Sequence, residues 1–163
     1  MTHATEVTAA PGGHTLEVRR EFAAPPALVF RAHTEPDLLA QWLGPRRLTT
    51  RVERLEVRDG GRWRFVHVDT DGAEYAFRGV FHGTPTPERI VQTWEFESEP
   101  GNVLLETLTL TPTAGGGTLL HGVSLFRDAG TRDAALGTGM VDGMEESYAR
   151  LAELLDRAGA QVS

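Results

Sequence analysis

What most restricts this chain is the stretch from about Thr49 to Phe126, where short runs of alternating apolar and polar residues follow one another. A turn signal falls roughly every ten residues. Asp59-Gly60-Gly61, Asp71-Gly72, Thr86-Pro87-Glu88, Glu99-Pro100-Gly101 and Gly115-Gly116-Gly117 mark the turns. Strands joined this tightly pair with their sequence neighbours, so an antiparallel meander of six strands is expected. No helical period intervenes, which argues against a doubly wound parallel sheet. His14 to Phe22 alternates in the same way and predicts a further strand, about seven in all.

Two helical regions flank the meander. In the segment from Pro25 to Pro45, Leu28, Phe30, Leu38, Leu39, Trp42 and Leu43 can form apolar helical faces, and Pro36 divides the segment into two short helices. The C-terminal segment predicts a long helix with Thr131 as N-cap and Gly159 as C-cap. Leu136, Met140, Val141, Met144, Tyr148, Leu151, Leu154 and Leu155 fall on one side of it, and Asp142, Glu145, Glu146, Glu153 and Asp156 on the other. Glu146 with Arg150 and Glu153 with Arg157 are spaced for i,i+4 pairs. The apolar stripe needs a partner, and the sheet is the only large one. The fold class is therefore α+β: a curved antiparallel sheet with two short helices and a long C-terminal helix packed across it. Residues 1–13 are expected as a disordered lead-in, 14–158 as one domain, and 159–163 as a tail. Gly137, Gly139 and Gly143 crowd the first half of the last helix, at about 1 kcal/mol each relative to alanine. Either they kink a helix start that gates a pocket, or Gly137-Thr138-Gly139 is a loop and the helix begins near Asp142.

Several function classes are set aside by composition. There is no cysteine, so disulfides, thiolate nucleophiles and cysteine-ligated metals are excluded. All sixteen basic residues are arginine, so lysine Schiff-base chemistry and a phosphate-loop lysine are excluded too. The net charge of -7 opposes nucleic-acid binding. No apolar run reaches the ~20 residues of a membrane span, and the N-terminus lacks the basic start and apolar stretch of a secretion signal, so a cytoplasmic protein is expected. His3, His14, His33, His67, His82 and His121 show no tight ligand spacing, and His67-x-Asp69-x-Asp71-Gly72 reads as turn chemistry, so no metal is expected. The segment from Gly137 to Gly143 is not a dinucleotide fingerprint, and no cofactor is expected. Arg46, Arg47, Arg51, Arg54, Arg58, Arg62 and Arg64 form the one locally basic region. They could attract an acidic ligand, an anionic partner surface or RNA, or simply form the solvated face of two adjacent strands.

The order of elements, with certain local motifs, resembles the helix-grip (SRPBCC, START-like) superfamily of START domains, birch-pollen-allergen-like proteins and polyketide cyclases. It is most similar to the stand-alone bacterial relatives of heat-shock protein 90 ATPase activator homologues. The motifs are Trp42-Leu43-Gly44-Pro45, Val57 to Trp63, Gly79-Val80-Phe81, Pro87 to Val91 leading into Thr93-Trp94-Glu95-Phe96, and Gly116 to Leu120. The resemblance implies a cavity between sheet and helix, with a chaperone partner and a stress-response setting as further implications. Two positions depart from the pattern. Gly83 stands where relatives commonly carry glutamate, and Met144 where they commonly carry tryptophan, which should reshape the space under the helix.

Strand alternation nominates the inward faces, since residues two apart share a face. These are Trp63, Phe65 and His67; Tyr75, Phe77, Gly79 and Phe81; Ile90, Gln92, Trp94 and Phe96; and Leu104, Glu106, Leu108 and Leu110. His67, Gln92 and Glu106 would sit among aromatics beneath Met140, Met144 and Tyr148, an apolar pocket with few polar groups. The expected function is binding of a small hydrophobic or amphipathic molecule there. Two alternatives stand beside it: cofactor-free acid/base catalysis of the cyclase or hydrolase type by His67 and Glu106, and a chaperone-associated interaction module. Buried polar residues also have a purely structural use, as partners for one another. Exposed strand edges leave room for a homodimer.

Overall fold

The computed structural model describes residues 4–162, with side chains for 4–159. In chain order the elements are β1 (Glu6–Thr8), β2 (Thr15–Phe22), α1 (Pro26–Thr34), α2 (Pro36–Leu39), β3 (Thr49–Leu55), β4 (Arg62–Val68), β5 (Glu74–Val80), β6 (Arg89–Phe96), β7 (Val103–Pro112), β8 (Thr118–Leu125), α3 (Ala129–Leu136) and α4 (Met140–Val162). All pairings are antiparallel, and the sheet order is β1-β2-β8-β7-β6-β5-β4-β3. The meander from β3 to β8 is complete, and β2 closes onto β8 over its full length.

Alternation decides which residues meet the helices. On β2, Leu16, Val18 and Phe22 are buried, and on the neighbouring strands Leu108, Leu110 and Leu120 continue the same layer. Pro36 divides α1 from α2 as expected, because its ring cannot continue a helix and Glu35 before it is extended. Val29 and Ala32 of α1, Leu39 of α2 and Trp42 complete the core with Tyr148, Leu151, Leu154 and Leu155 of α4. Trp42 is fixed by its Nε1–H, which donates to the Ala32 carbonyl at 2.9 Å.

Gly79 sits where β6 and an indole crowd the backbone. A Cβ there would collide with the Thr93 carbonyl and with the Trp63 ring, so only glycine allows β6 and the indole to approach this closely. The regular pairing of β5 with β6 covers only Phe77 with Phe96 and Arg78 with Glu95, and Thr93 Oγ1 takes over by accepting from Val80 N. At one sheet edge β1 is three residues long; at the other, β3 carries charged residues and a bulge between Val52 and Arg54, devices that discourage further pairing.

Four expectations are corrected. The lead-in supplies an eighth strand, since Glu6–Thr8 pairs with Glu17–Arg19 of β2; residues 1–3 lie outside those described. The last helical region is two helices: Gly139, with φ of +83°, separates α3 from α4. The N-cap of α3 is Asp128, whose side chain accepts from Thr131 N at 2.6 Å, so Thr131 is inside the first turn. Nor does Gly159 end the chain's last helix, which runs to Val162, into the expected tail.

Candidate functional site

Between the concave face of the sheet and α4 lies a cavity of about 820 Å³. It exists because α4 does two jobs along its length. From Ser147 onward its inward residues are buried, with Leu151 wholly enclosed, whereas Met140 and Met144 in the first turns are only half-buried. Those turns roof a space that the sheet does not fill. The Gly137-Thr138-Gly139 break frees them from α3, which is anchored elsewhere by Arg132. That guanidinium is 2% exposed and donates to the carbonyls of Ala10 and Thr15.

Of the eighteen residues nominated from the sequence, sixteen line this one cavity; Leu110 is buried in the core instead, and Gly79 packs against Trp63 and β6. Trp63, Phe65 and His67 on β4 face Tyr75 and Phe77 on β5, with Phe65 opposite Phe77 and His67 opposite Tyr75. Phe77 stacks on Phe96 at 4.9 Å between ring centroids, and Trp94 meets Trp63 edge-on at 4.6 Å. Phe81, Gln92 and Leu108 complete the wall beside Glu106, while Met140, Met144 and Tyr148 come from α4.

The three polar residues nominated from the sequence fall into two sets. Glu106 pairs with Gln92 across β6 and β7, and its Oε1 accepts from Gln92 Nε2 at 2.8 Å and from Trp94 Nε1 at 3.0 Å. Burial pushes its pKa up, opposed by those two hydrogen bonds. Its remaining exposure is to the cavity that it lines. Tyr148 is held un-ionised by burial first and by the charge of Glu106 second. At the other end His67, 8% exposed, shares a 2.8 Å hydrogen bond with Thr50 Oγ1 through Nδ1. Burial, reinforced by the positive charge of Arg150, lowers its pKa to about 4, so it is neutral near pH 7.

His67 and Glu106 share a face of the sheet, yet β5 and β6 lie between their strands. Three strand spacings make roughly 14 Å at the backbone. No hydrogen bond joins the two side chains among the described residues. At that separation they are not brought together on one atom.

Sequence reasoning missed the loop between α2 and β3. Gly44 N donates to Ser147 Oγ at 2.9 Å, Arg150 donates to the carbonyls of Gly44 and Gln41, and the Arg46 guanidinium pairs with Glu153 at 2.8 Å. Glu146, Arg150 and Glu153 thus fasten this loop to α4 instead of forming the expected pairs along the helix. The Trp42-Leu43-Gly44-Pro45 motif was the available signal, but nothing local in it identifies its partners a hundred residues away. Thr50 and Ser124 also line or border the site unanticipated, because neither breaks the pattern of a strand.

The basic region is largely neutralised in place. Arg47 pairs with Asp69, Arg51 with Glu74, Arg54 and Arg58 with Glu56, and Arg64 with Glu53 and Glu97. These pairs are largely solvent-exposed, where such contacts add little to stability. Asp69 and Asp71 serve their turn by accepting from Thr70 N and Ala73 N. No helix among the described residues is long and apolar enough to cross a membrane.

Comparison with known proteins agrees with this geometry. The family model described as activator of Hsp90 ATPase homolog 1-like protein matches residues 23–156. Among solved structures, a protein of Rhodobacter sphaeroides is 30% identical, with 94% of this chain and 99% of that one covered and a TM-score of 0.86. A protein of Chromobacterium violaceum is also 30% identical, covering 86% and 96% at a TM-score of 0.74, and one of Mycobacterium smegmatis is 25% identical, covering 93% and 96% at 0.82. No curated protein matches the chain.

Proposed function

The chain belongs to the family of activator of Hsp90 ATPase homolog 1-like proteins, and from that premise we propose that it binds a small hydrophobic or amphipathic molecule between the sheet and α4 without transforming it. The observation that carries this reading is the unfilled volume of about 820 Å³ walled largely by aromatic and aliphatic side chains, with His67 and Glu106 set apart among them. Pockets of 300–1,000 Å³ with few polar groups are the usual form of small-molecule sites. The separation of His67 from Glu106 favours holding over acid/base catalysis, which needs proton donor or acceptor within hydrogen-bond reach of the reacting atom. A chaperone-associated role has the family's description in its favour and no surface feature of this chain. The cytoplasm is its proposed compartment.

Native mass spectrometry of protein isolated from its host, together with titration by the uncharged dye Nile red, tests the reading. A retained small molecule, or one-to-one dye binding with blue-shifted emission, is the expected result. Protein that retains nothing and leaves the dye in its aqueous emission state would overturn it.

A further inference from the structure

Thr50 Oγ1 makes two hydrogen bonds, 2.7 Å to the Leu43 carbonyl and 2.8 Å with His67 Nδ1. A threonine hydroxyl has a single proton. The carbonyl can only accept, so that proton goes to Leu43. The contact with His67 must then run from Nδ1–H to the hydroxyl oxygen, which assigns the tautomer from the network. Nε2 is left as a bare lone pair. Among the described residues no donor meets it, it is not one of the fully buried side-chain atoms left without a partner, and His67 lines the cavity. With the imidazole neutral down to about pH 4, Nε2 stays an acceptor at this end of the cavity.

Nearby cations are already engaged. Arg150 directs its N–H groups to the carbonyls of Gly44, Pro45 and Gln41; of the three arginines that line the cavity, Arg54 and Arg64 are paired with glutamates and Arg47 with Asp69. An anionic guest would find a lone pair at one end, the Glu106 carboxyl at the other, and no free positive charge to offset its desolvation.

We propose that the cavity selects an uncharged, flat, apolar molecule whose hydroxyl or N–H group donates to His67 Nε2, and that it discriminates against an anion of the same shape. The inference rests on the reading of the cavity as a ligand site and names the chemistry of that ligand. A site built to hydrogen-bond a substrate hydroxyl discriminates strongly against the analogue lacking it, because a buried polar group is then left unpaired.

Calorimetric titration at pH 7 with 2-naphthol, 2-methoxynaphthalene and 2-naphthoate tests it. Binding of 2-naphthol at least fivefold tighter than the ether, with naphthoate weakest, is expected. In His67→Phe the advantage of naphthol over the ether should fall below twofold while the ether still binds. Thr50→Val, which frees the imidazole to adopt the other tautomer, should shrink the advantage in the same direction. Each ratio is internal to one variant, so a loss of folded protein in one leaves the other informative. Equal affinity for naphthol and ether, or a preference that survives both substitutions, overturns the donor assignment and leaves the cavity reading standing. Naphthoate binding tightest overturns the discrimination against anions. Failure of all three to bind overturns both.

Discussion

The imidazole of His67 occupies the space that a side chain at position 44 would need: a Cβ on Gly44 would lie 2.6 Å from His67 Cε1. Gly44 also has φ of +98°, a backbone region that favours glycine. The loop that is fastened to α4 therefore also fixes the ring at the cavity's polar end.

Gly44→Ala should lower stability by about 2–5 kcal/mol, since strain and overpacking act together at one residue. Thermal unfolding will show it as a clear drop in Tm, and His67 ring signals in NMR should shift. An unchanged Tm would mean that the loop can relax away from the ring.

The pH dependence of His67 has a definite sign. Unfolded, its imidazole titrates near 6.5. Folded, it does so at about 4. Between these values the unfolded chain binds more protons, so the stability present above pH 6.5 is lost as pH falls toward 4, by up to roughly 3 kcal/mol. His33, whose pKa is also lowered to about 4 by burial, acts in the same direction. Urea unfolding at pH 7.5 and 4.5 should show a larger loss in the unsubstituted protein than in His67→Phe, which keeps His33. Equal losses would remove His67 from the account.

Glu106 has the opposite sign. Its folded-state pKa is raised, so the folded state binds more protons above the unfolded value, and stability declines as pH rises through that window. Glu106→Gln retains an oxygen to accept from Gln92 and Trp94 while removing the charge. Differential scanning fluorimetry should find the variant more stable than the parent at pH 8, with the gap closing toward pH 4. A variant that is less stable at pH 8 would mean that the buried carboxylate is better compensated than its two hydrogen bonds indicate.

Met144 hangs from the first turns of α4 over the cavity and is only half-buried. Met144→Trp should fill guest volume with little strain, reducing Nile red binding at least fivefold while leaving Tm within a few degrees. Unaltered dye binding at full stability would place the dye outside the cavity.

The architecture was largely legible because its signals are local. Two-residue alternation and turn glycines define the six strands of the meander, and Pro36 divides the two short helices. The same alternation placed His67, Gln92 and Glu106 on the inner face, since a strand cannot turn one of them outward without moving its neighbours. What escaped was non-local or conformationally ambiguous. Glu6–Thr8 is too short to show a period, and its strand exists only because the edge of β2 is there to pair with it. The two readings of Gly137 and Gly139 differ in a backbone angle rather than in composition, and Gly139 resolves them by adopting positive φ. The bonds of Arg46 to Glu153 and of Arg150 to the Gly44 and Gln41 carbonyls, each across about a hundred residues, take up side chains that the helical spacing alone assigns to partners within the helix.

The fully buried part of α4 begins at Ser147, and Met140 and Met144 in the turns before it are only half-buried. Substitutions there can retune what is admitted while the scaffold beneath goes on folding unaided. On the binding reading proposed above, a lineage with this layout would diversify its ligands by mutating one short stretch, with less risk of the collapse that usually accompanies change in a protein interior.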